Sequence, residues 1–152
     1  MNSTFGALER ALSEQKWGAA DSETRELICR LSGEPLPVTP EIIDAMGEED
    51  LQRIDELWGE SSQGLFGLRV QANLWIEAGG PAEVYVFEGM SREQKLFLGE
   101  KERELARLVG WPPTYSLKTM VRGCLPYEYL MCSYGLGLTG FVLAAVANRF
   151  KE

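Results

Sequence analysis

Residues 49–80 read EDLQRIDELWGESSQGLFGLRVQANLWIEAGG, and their pattern is the clearest structural signal in the chain. Its first apolar residues, within 51–58, recur at the spacing of one helix face. Residues 61–64 have turn chemistry, because the glycine there adopts positive φ at no steric cost. A second helical stripe starts at Leu68, and glycines and a proline at 79–81 end it. The segment predicts two helices joined by a tight turn; periodicity alone indicates a core hairpin and nothing more.

The composition is that of a globular domain. The chain has 152 residues, of which 45% are hydrophobic and 25% are charged, so it can bury a sizeable core. Strand signals are few, and the β-like run Val84–Phe87 is short enough to be an extended connector. We therefore expect a single all-α domain over residues 1–152.

Further helical patterns lie on both sides of the central segment. Caps and prolines at their ends set the expected bounds. Helices are predicted at residues 4–14, 17–32, 40–46 and 92–109. Residues 112–128 are the least regular part of the chain, and the whole pattern predicts roughly seven short helices.

Charge is unevenly distributed along the chain. The net charge is −8, with 14 acidic and 5 basic side chains in residues 1–60 against 9 and 10 in residues 61–152. Nucleic acid requires a positive footprint, so we expect no nucleic-acid partner. The acidic first part fits a solvated surface, and docking to a basic partner stays open.

Few residues of this chain suit catalysis or metal binding. It has no histidine, which is the commonest general base and a common zinc ligand. Its three cysteines, Cys29, Cys124 and Cys132, have no metal-ligand spacing. The acids at 48–50 and 55–56 fit a polar helix face or a helix start. We therefore predict no catalytic residues and no metal site.

Cysteine usage and the N-terminus also indicate a compartment. An odd cysteine count without a signal-peptide or transit pattern is typical of a reducing cytosol. We expect the protein to be cytoplasmic. Peripheral association with a membrane stays open as an alternative.

Two C-terminal patterns have ordinary explanations. Residues 135–140 match GxGxxG, but no predicted strand precedes them, as a dinucleotide site requires. Residues 129–148 carry no charge and are long enough to span a bilayer. They also contain glycines and polar side chains, so we expect a buried C-terminal helix, with a tail anchor as the alternative.

One loop reverses the acidic character of the chain. Between Glu104 and Glu128 there is no acid, while Arg107, Lys118 and Arg122 are basic. The same stretch also contains apolar and aromatic residues: Trp111, Tyr115, Leu117 and Met120. A flat apolar ligand with carboxylates at its edge would suit this combination. A packed loop whose cations pair with the acidic first part would suit it equally.

In order and spacing, several motifs resemble the genomes-uncoupled-four family. The strongest match is residues 49–80. Weaker matches are the opening helices at 8–24, Leu108–Trp111, Gly123–Pro126 and Asn148–Phe150. The family has an all-helical fold with a concave apolar surface, so the resemblance implies the same here.

The resemblance also implies a function. Family members bind protoporphyrin IX and magnesium-protoporphyrin IX, and related members bind bilins. They are not enzymes; they stimulate magnesium chelatase, which opens chlorophyll biosynthesis, through its large porphyrin-binding subunit. We therefore expect a tetrapyrrole-binding regulator from a cyanobacterium-like cell. Its expected porphyrin-binding residues are Phe66, Leu68, Trp111, Tyr115, Leu117, Lys118 and Arg122.

The chain departs from the family pattern at a few positions. Gly59 stands where an aliphatic residue is usual, Leu68 where Phe is, Pro112 where Arg is and Cys124 where His is. The loop from Trp111 to Gly123 is also several residues shorter. These departures favour, as the alternative, a divergent paralogue that binds a bilin or acts as a ligand-free interaction or signalling module.

Overall fold

The computed structural model describes residues 4–33, 38–85, 89–111, 121–131 and 139–150. Within these ranges all regular structure is helical, which confirms the all-α prediction. The eight helices are α1 (Gly6–Ser13), α2 (Trp17–Ser32), α3 (Pro40–Ala45), α4 (Glu48–Ser62), α5 (Leu68–Glu77), α6 (Arg92–Val109), α7 (Glu128–Met131) and α8 (Thr139–Phe150).

The central hairpin forms as its sequence predicts. Helix α4 buries Leu51, Ile54 and Trp58. The turn to α5 begins at Gln63, which takes the left-handed conformation with φ 57°. Its amide N–H closes the last turn of α4 on the carbonyl of Gly59. The turn reverses the chain and places α5 against the rest of the core.

Helix α8 lies at the centre of the fold. Every residue from Thr139 to Ala147 is buried, and the helix packs against α5, α3 and α6. A helix that is apolar all round is a core helix, as expected for this run. In the described ranges, no helix is long and apolar enough to cross a membrane.

The other helices agree closely with the predicted bounds. Ser91 forms a capping box with Gln94 at the start of α6, and Thr39 caps α3 through the N–H of Ile42. Helix α7 was absent from the sequence pattern and accounts for the additional helix. Val84 and Tyr85 form no strand; the remainder of that run, and most of the GxGxxG match, lie outside the described residues.

Candidate ligand-binding site

Residues 121–127 form a loop that lies on the α4–α5 turn. The N–H of Gly123 donates to the carbonyl of Leu65 at 2.9 Å, and the N–H of Gly67 donates to the carbonyl of Leu125 at 3.1 Å. These two bonds join segments about 60 residues apart in sequence. The loop is thus attached to the central hairpin by backbone hydrogen bonds.

Gly123 brings the loop against α5. Its φ is 85°, and a Cβ atom built on it lies only 2.3 Å from Cδ1 of Leu74. The positive φ therefore favours glycine here, and any larger residue would also have to displace the end of the Leu74 side chain.

A buried amide side chain, that of Gln71, forms hydrogen bonds with the same loop. Gln71 is 1% exposed, and its Nε2 donates to the carbonyls of Gly123 and Pro126. Its Oε1 accepts a hydrogen bond from the hydroxyl of Tyr129 at 2.7 Å. This network satisfies polar groups that would otherwise be buried without partners.

Asp21 of α2 fixes the far end of the loop. It is fully buried, and its Oδ1 accepts from the N–H groups of Tyr127 at 2.7 Å and Glu128 at 2.9 Å. A carboxylate in this position caps the start of α7. The carboxylate of Glu128 in turn accepts from Ser22 and Arg25 of α2.

Trp111 is anchored to the loop by its indole. Its Nε1 donates to the carbonyl of Cys124 at 2.8 Å, and its ring packs on that of Tyr127. Burial raises the pKa of the Tyr127 phenol and that of the Cys124 thiol. Both groups are therefore neutral near pH 7.

The end of α6 before Trp111 and the start of the 121–127 loop both carry exposed apolar and cationic side chains. Leu108 is 54% exposed and Val121 is 38% exposed. Arg107 and Arg122 are also exposed, and neither forms an ion pair with a described residue. We call these five residues the Trp111 surface. Its apolar side chains could cover the face of a flat ligand, and its two arginines could bind acidic groups at the edge of that ligand.

Two of the predicted contact residues lie in the core. Phe66 is 2% exposed and Leu68 is fully buried. The ring of Phe66 packs edge-on against Trp17 at 5.3 Å and Trp58 at 6.1 Å. Trp111 contacts the loop that contains Arg122 through its hydrogen bond to Cys124, whereas Phe66 and Leu68 are buried in the core. Tyr115, Leu117 and Lys118 lie outside the described residues.

A model of the GUN4-like family matches residues 1–132 of the chain. The chain belongs to the GUN4 family. Two curated relatives match about half of this GUN4 chain. It is 38% identical over 77 residues to the chloroplastic tetrapyrrole-binding protein of Arabidopsis thaliana, covering 48% of this chain and 29% of the relative. It is 33% identical over 76 residues to the Ycf53-like protein of Synechocystis sp. (strain ATCC 27184 / PCC 6803 / Kazusa), covering 47% of this chain and 33% of the relative.

Solved GUN4 structures share the fold. The ligand-free structure of Arabidopsis thaliana GUN4 superposes with a TM-score of 0.71 at 21% identity, covering 100% of this chain and 97% of that one. GUN4 from Chlamydomonas reinhardtii gives a TM-score of 0.66 at 22% identity, covering 97% and 89%. At such identity these two comparisons establish the fold alone.

Sequence reasoning missed the residues that support this site in the GUN4 chain. Gln71 lies three positions after Leu68 and four before Trp75, so a polar residue interrupts the apolar stripe of α5. That interruption is a signal of a buried hydrogen-bonding role. Asp21 carries the same signal, four positions after Trp17 on α2. Tyr127 carries no comparable signal.

The described residues of this GUN4 chain offer no protein metal site. No three His, Cys, Asp or Glu side chains within them are grouped so as to hold a metal ion.

Proposed function

We propose that this chain binds protoporphyrin IX or magnesium-protoporphyrin IX on the Trp111 surface and stimulates magnesium chelatase without being an enzyme itself. The observation that carries the proposal is the pair Arg107 and Arg122, exposed beside apolar side chains and without ion-pair partners among the described residues. GUN4 family membership supports it, as does the name of the Arabidopsis relative, a tetrapyrrole-binding protein.

The chemistry of the surface suits such a ligand. A porphyrin has two apolar faces, which Leu108 and Val121 would cover together with the indole of Trp111. Its propionates would meet the guanidinium groups of Arg107 and Arg122, which bind carboxylates in a bidentate manner. The hydrogen bond from Trp111 to Cys124 fixes the indole before the ligand arrives, which reduces the entropy lost on binding.

The composition also predicts which tetrapyrrole binds best. Without histidine in the chain, the usual axial ligand of haem iron is missing. We expect magnesium or metal-free porphyrin to bind more tightly than haem. Parallel titrations compare the three ligands, and clearly tighter haem binding would overturn this preference.

Quenching of tryptophan fluorescence on titration with deuteroporphyrin, its magnesium form and a bilin tests the proposal. Saturation in the micromolar range, about −8 kcal/mol, is the expected result for the porphyrins. Strongest binding of the bilin would instead favour the bilin-binding alternative. No saturable quenching by any of them would contradict tetrapyrrole binding.

A charge-reversal series locates the site. The Arg107→Glu, Arg122→Glu double variant should lose about 1–3 kcal/mol of binding energy, because charge-assisted bonds are removed. Lys118→Glu with Arg122→Glu tests the predicted contact outside the described residues in the same way. Arg92→Glu is the matched control, since it lies at the other end of α6, roughly 22 Å from Arg107.

The partner proposed is the large porphyrin-binding subunit of magnesium chelatase. Acidic side chains at the start of α4, Glu48 and Glu49, are exposed and would face a basic partner. A pull-down with and without porphyrin separates a regulator, whose capture depends on the ligand, from a ligand-free interaction module. We place this action in the cytoplasm; recovery in a membrane fraction released by high salt would favour peripheral association.

A further inference from the structure

Helix α6 carries a line of side chains outside the face that it buries. Their spacing along the sequence keeps them on one side of the helix, and the line is about 16 Å long. Its members are Phe97, Lys101, Glu104 and Leu108. Phe97 is 43% exposed and Leu108 is 54% exposed, so both ends of the line present apolar surface to water. We call these residues the α6 stripe.

The side chains of the α6 stripe hold one another in place. Nζ of Lys101 lies 5.5 Å from the centroid of the Phe97 ring and 3.7 Å from Oε2 of Glu104. A cation over an aromatic face is an attractive contact, and the side chain of Lys101 is only 26% exposed. Part of the conformational entropy that a partner would otherwise have to remove is therefore already lost in the free chain.

The α6 stripe is complementary to itself when it is reversed. Its centre lies between Lys101 and Glu104, and Phe97 and Leu108 lie at equal distances on either side of that centre. If a second α6 runs antiparallel across a two-fold axis at this point, each residue meets the one at the mirrored position. Phe97 then meets the partner's Leu108, and Lys101 meets the partner's Glu104. In a parallel pair the two lysines would meet instead, and like charges repel.

We propose that the α6 stripe docks a second copy of this chain in an antiparallel two-fold dimer. Apolar contacts at both ends and two ion pairs between the copies in the middle would hold it together. Stable interfaces bury about 1,200–2,000 Å², and one helix face of this length lies at or below the lower end of that range. The dimer is therefore weak, with a dissociation constant of about 10 µM to 1 mM.

The dimer would also cover part of the proposed porphyrin site. Leu108 belongs both to the α6 stripe and to the Trp111 surface, so a ligand and the partner's Phe97 compete for the same side chain. A ligand shifts an equilibrium toward the state that it binds better, and porphyrin binding should therefore favour the monomer. This coupling rests on the proposed function, whereas the dimer itself does not.

Sedimentation equilibrium of the full chain tests self-association. The net charge of −8 makes two copies repel each other, so the measurement is made at about 0.15 M salt, where this repulsion is screened. We expect the average mass to rise with protein concentration from that of the monomer toward that of the dimer. A mass that stays at the monomer value up to about 1 mM protein would overturn the proposal.

Two neighbouring substitutions distinguish the stripe from the rest of α6. Phe97→Asp should keep the chain monomeric over the same range, because the dimer would bury a carboxylate against an apolar side chain. Leu96→Asp is the matched control. Leu96 is 55% exposed but points about 100° round the helix from Phe97, so this variant should associate as the wild type does. Equal losses in the two variants would place the contact elsewhere and overturn the proposal.

Charge exchange in the middle of the stripe tests the antiparallel register. Lys101→Glu gives each copy two glutamates and Glu104→Lys gives each copy two lysines, so each variant alone should associate about ten-fold more weakly. An equimolar mixture of the two variants should recover wild-type association, and so should the chain that carries both changes. Recovery in the mixture reports contact between copies, because neither chain has been repaired. Single variants that associate normally, or a double variant that does not recover, would overturn the proposal.

Magnesium-deuteroporphyrin tests the coupling separately from the dimer. As this ligand saturates the wild type, the average mass should fall toward that of the monomer, and Phe97→Asp should bind the ligand at least as tightly as the wild type does. A porphyrin that binds without any change in mass would overturn the coupling. If no porphyrin binds, the proposed function fails and the coupling fails with it, while the concentration series still decides whether the dimer exists.

Discussion

The ring centroids of Trp111 and Tyr127 lie 5.4 Å apart with an interplanar angle of 43°. Trp111 lies just after the end of α6, and Tyr127 lies just before α7. The N–H of Tyr127 donates to the carboxylate of Asp21. The contact therefore joins the end of one helix to the start of another across the loop between them. It fixes the orientation of the Trp111 ring.

Trp111→Phe is expected to keep the aromatic contact and lose the hydrogen bond to Cys124. Affinity for magnesium-deuteroporphyrin should fall by about 1 kcal/mol, and further in Trp111→Ala, where the ring is gone. Isothermal titration calorimetry measures both without relying on fluorescence. Wild-type affinity in the alanine variant would exclude Trp111 from the site.

Gly123→Ala is expected to destabilise the protein by about 2 kcal/mol or more, because the new Cβ meets Leu74 and the φ of 85° is strained. Urea unfolding measures the change. Gly59→Ala is the matched control: it lies within α4, and a Cβ there has no neighbour within 4 Å. The free energy of unfolding of this variant should be about 0.5–1 kcal/mol higher than that of the wild type. Equal effects of the two changes would contradict this reading of Gly123.

Gln71 and Tyr129 should show energetic coupling. Gln71→Met leaves two loop carbonyls without their donor, and Tyr129→Phe leaves Gln71 Oε1 without its donor. Each change should cost about 1–3 kcal/mol. In a double-mutant cycle the combined loss should fall short of the sum by about 1 kcal/mol. Strict additivity would mean that the hydroxyl contributes nothing to the network.

Asp55→Asn should flatten the dependence of stability on pH. Asp55 Oδ1 accepts from the N–H of Arg69 at 2.8 Å, and burial raises the pKa of this carboxyl above 3.8. Because the pKa of Asp55 is higher in the folded state than in the unfolded state, protonated Asp55 stabilises the fold. This contribution to stability is fully present below the unfolded-state pKa and is lost as the pH rises through the folded-state pKa. Asparagine keeps the acceptor and cannot ionise. Urea unfolding from pH 3.5 to 7 should therefore show a smaller decline in the variant; an equal or steeper decline would contradict it.

Local chemistry explains why several helices were predictable. The bounds 17–32 and 92–109 predicted for α2 and α6 are confirmed. Each helix ends in a glycine with left-handed φ, Gly33 at 74° and Gly110 at 73°, and glycine is the usual residue at that position. Where the residues that end a helix are its neighbours in the chain, the sequence alone is sufficient to predict the end of that helix.

Long-range contacts explain what was missed. Helix α7 is capped by Asp21, which lies 107 positions before Glu128. The residues around α7 therefore contain no local pattern that predicts this helix. The burial of Phe66 likewise depends on Trp17, which lies in another helix. Periodicity assigns an inward face within a helix, but it does not say whether a residue in a turn faces a ligand or the core.

The position of α8 affects how the chain folds during synthesis. This helix fills the space between α3, α5 and α6, and Arg149 donates to the carbonyls that end α3, more than 100 positions earlier. The ribosome makes α8 after all of these partners. Until residue 150 has emerged, the apolar surfaces it covers remain in water, where chaperones and other nascent chains encounter them. The core can therefore be completed only after α8 has been translated, and contacts so distant in sequence also form slowly.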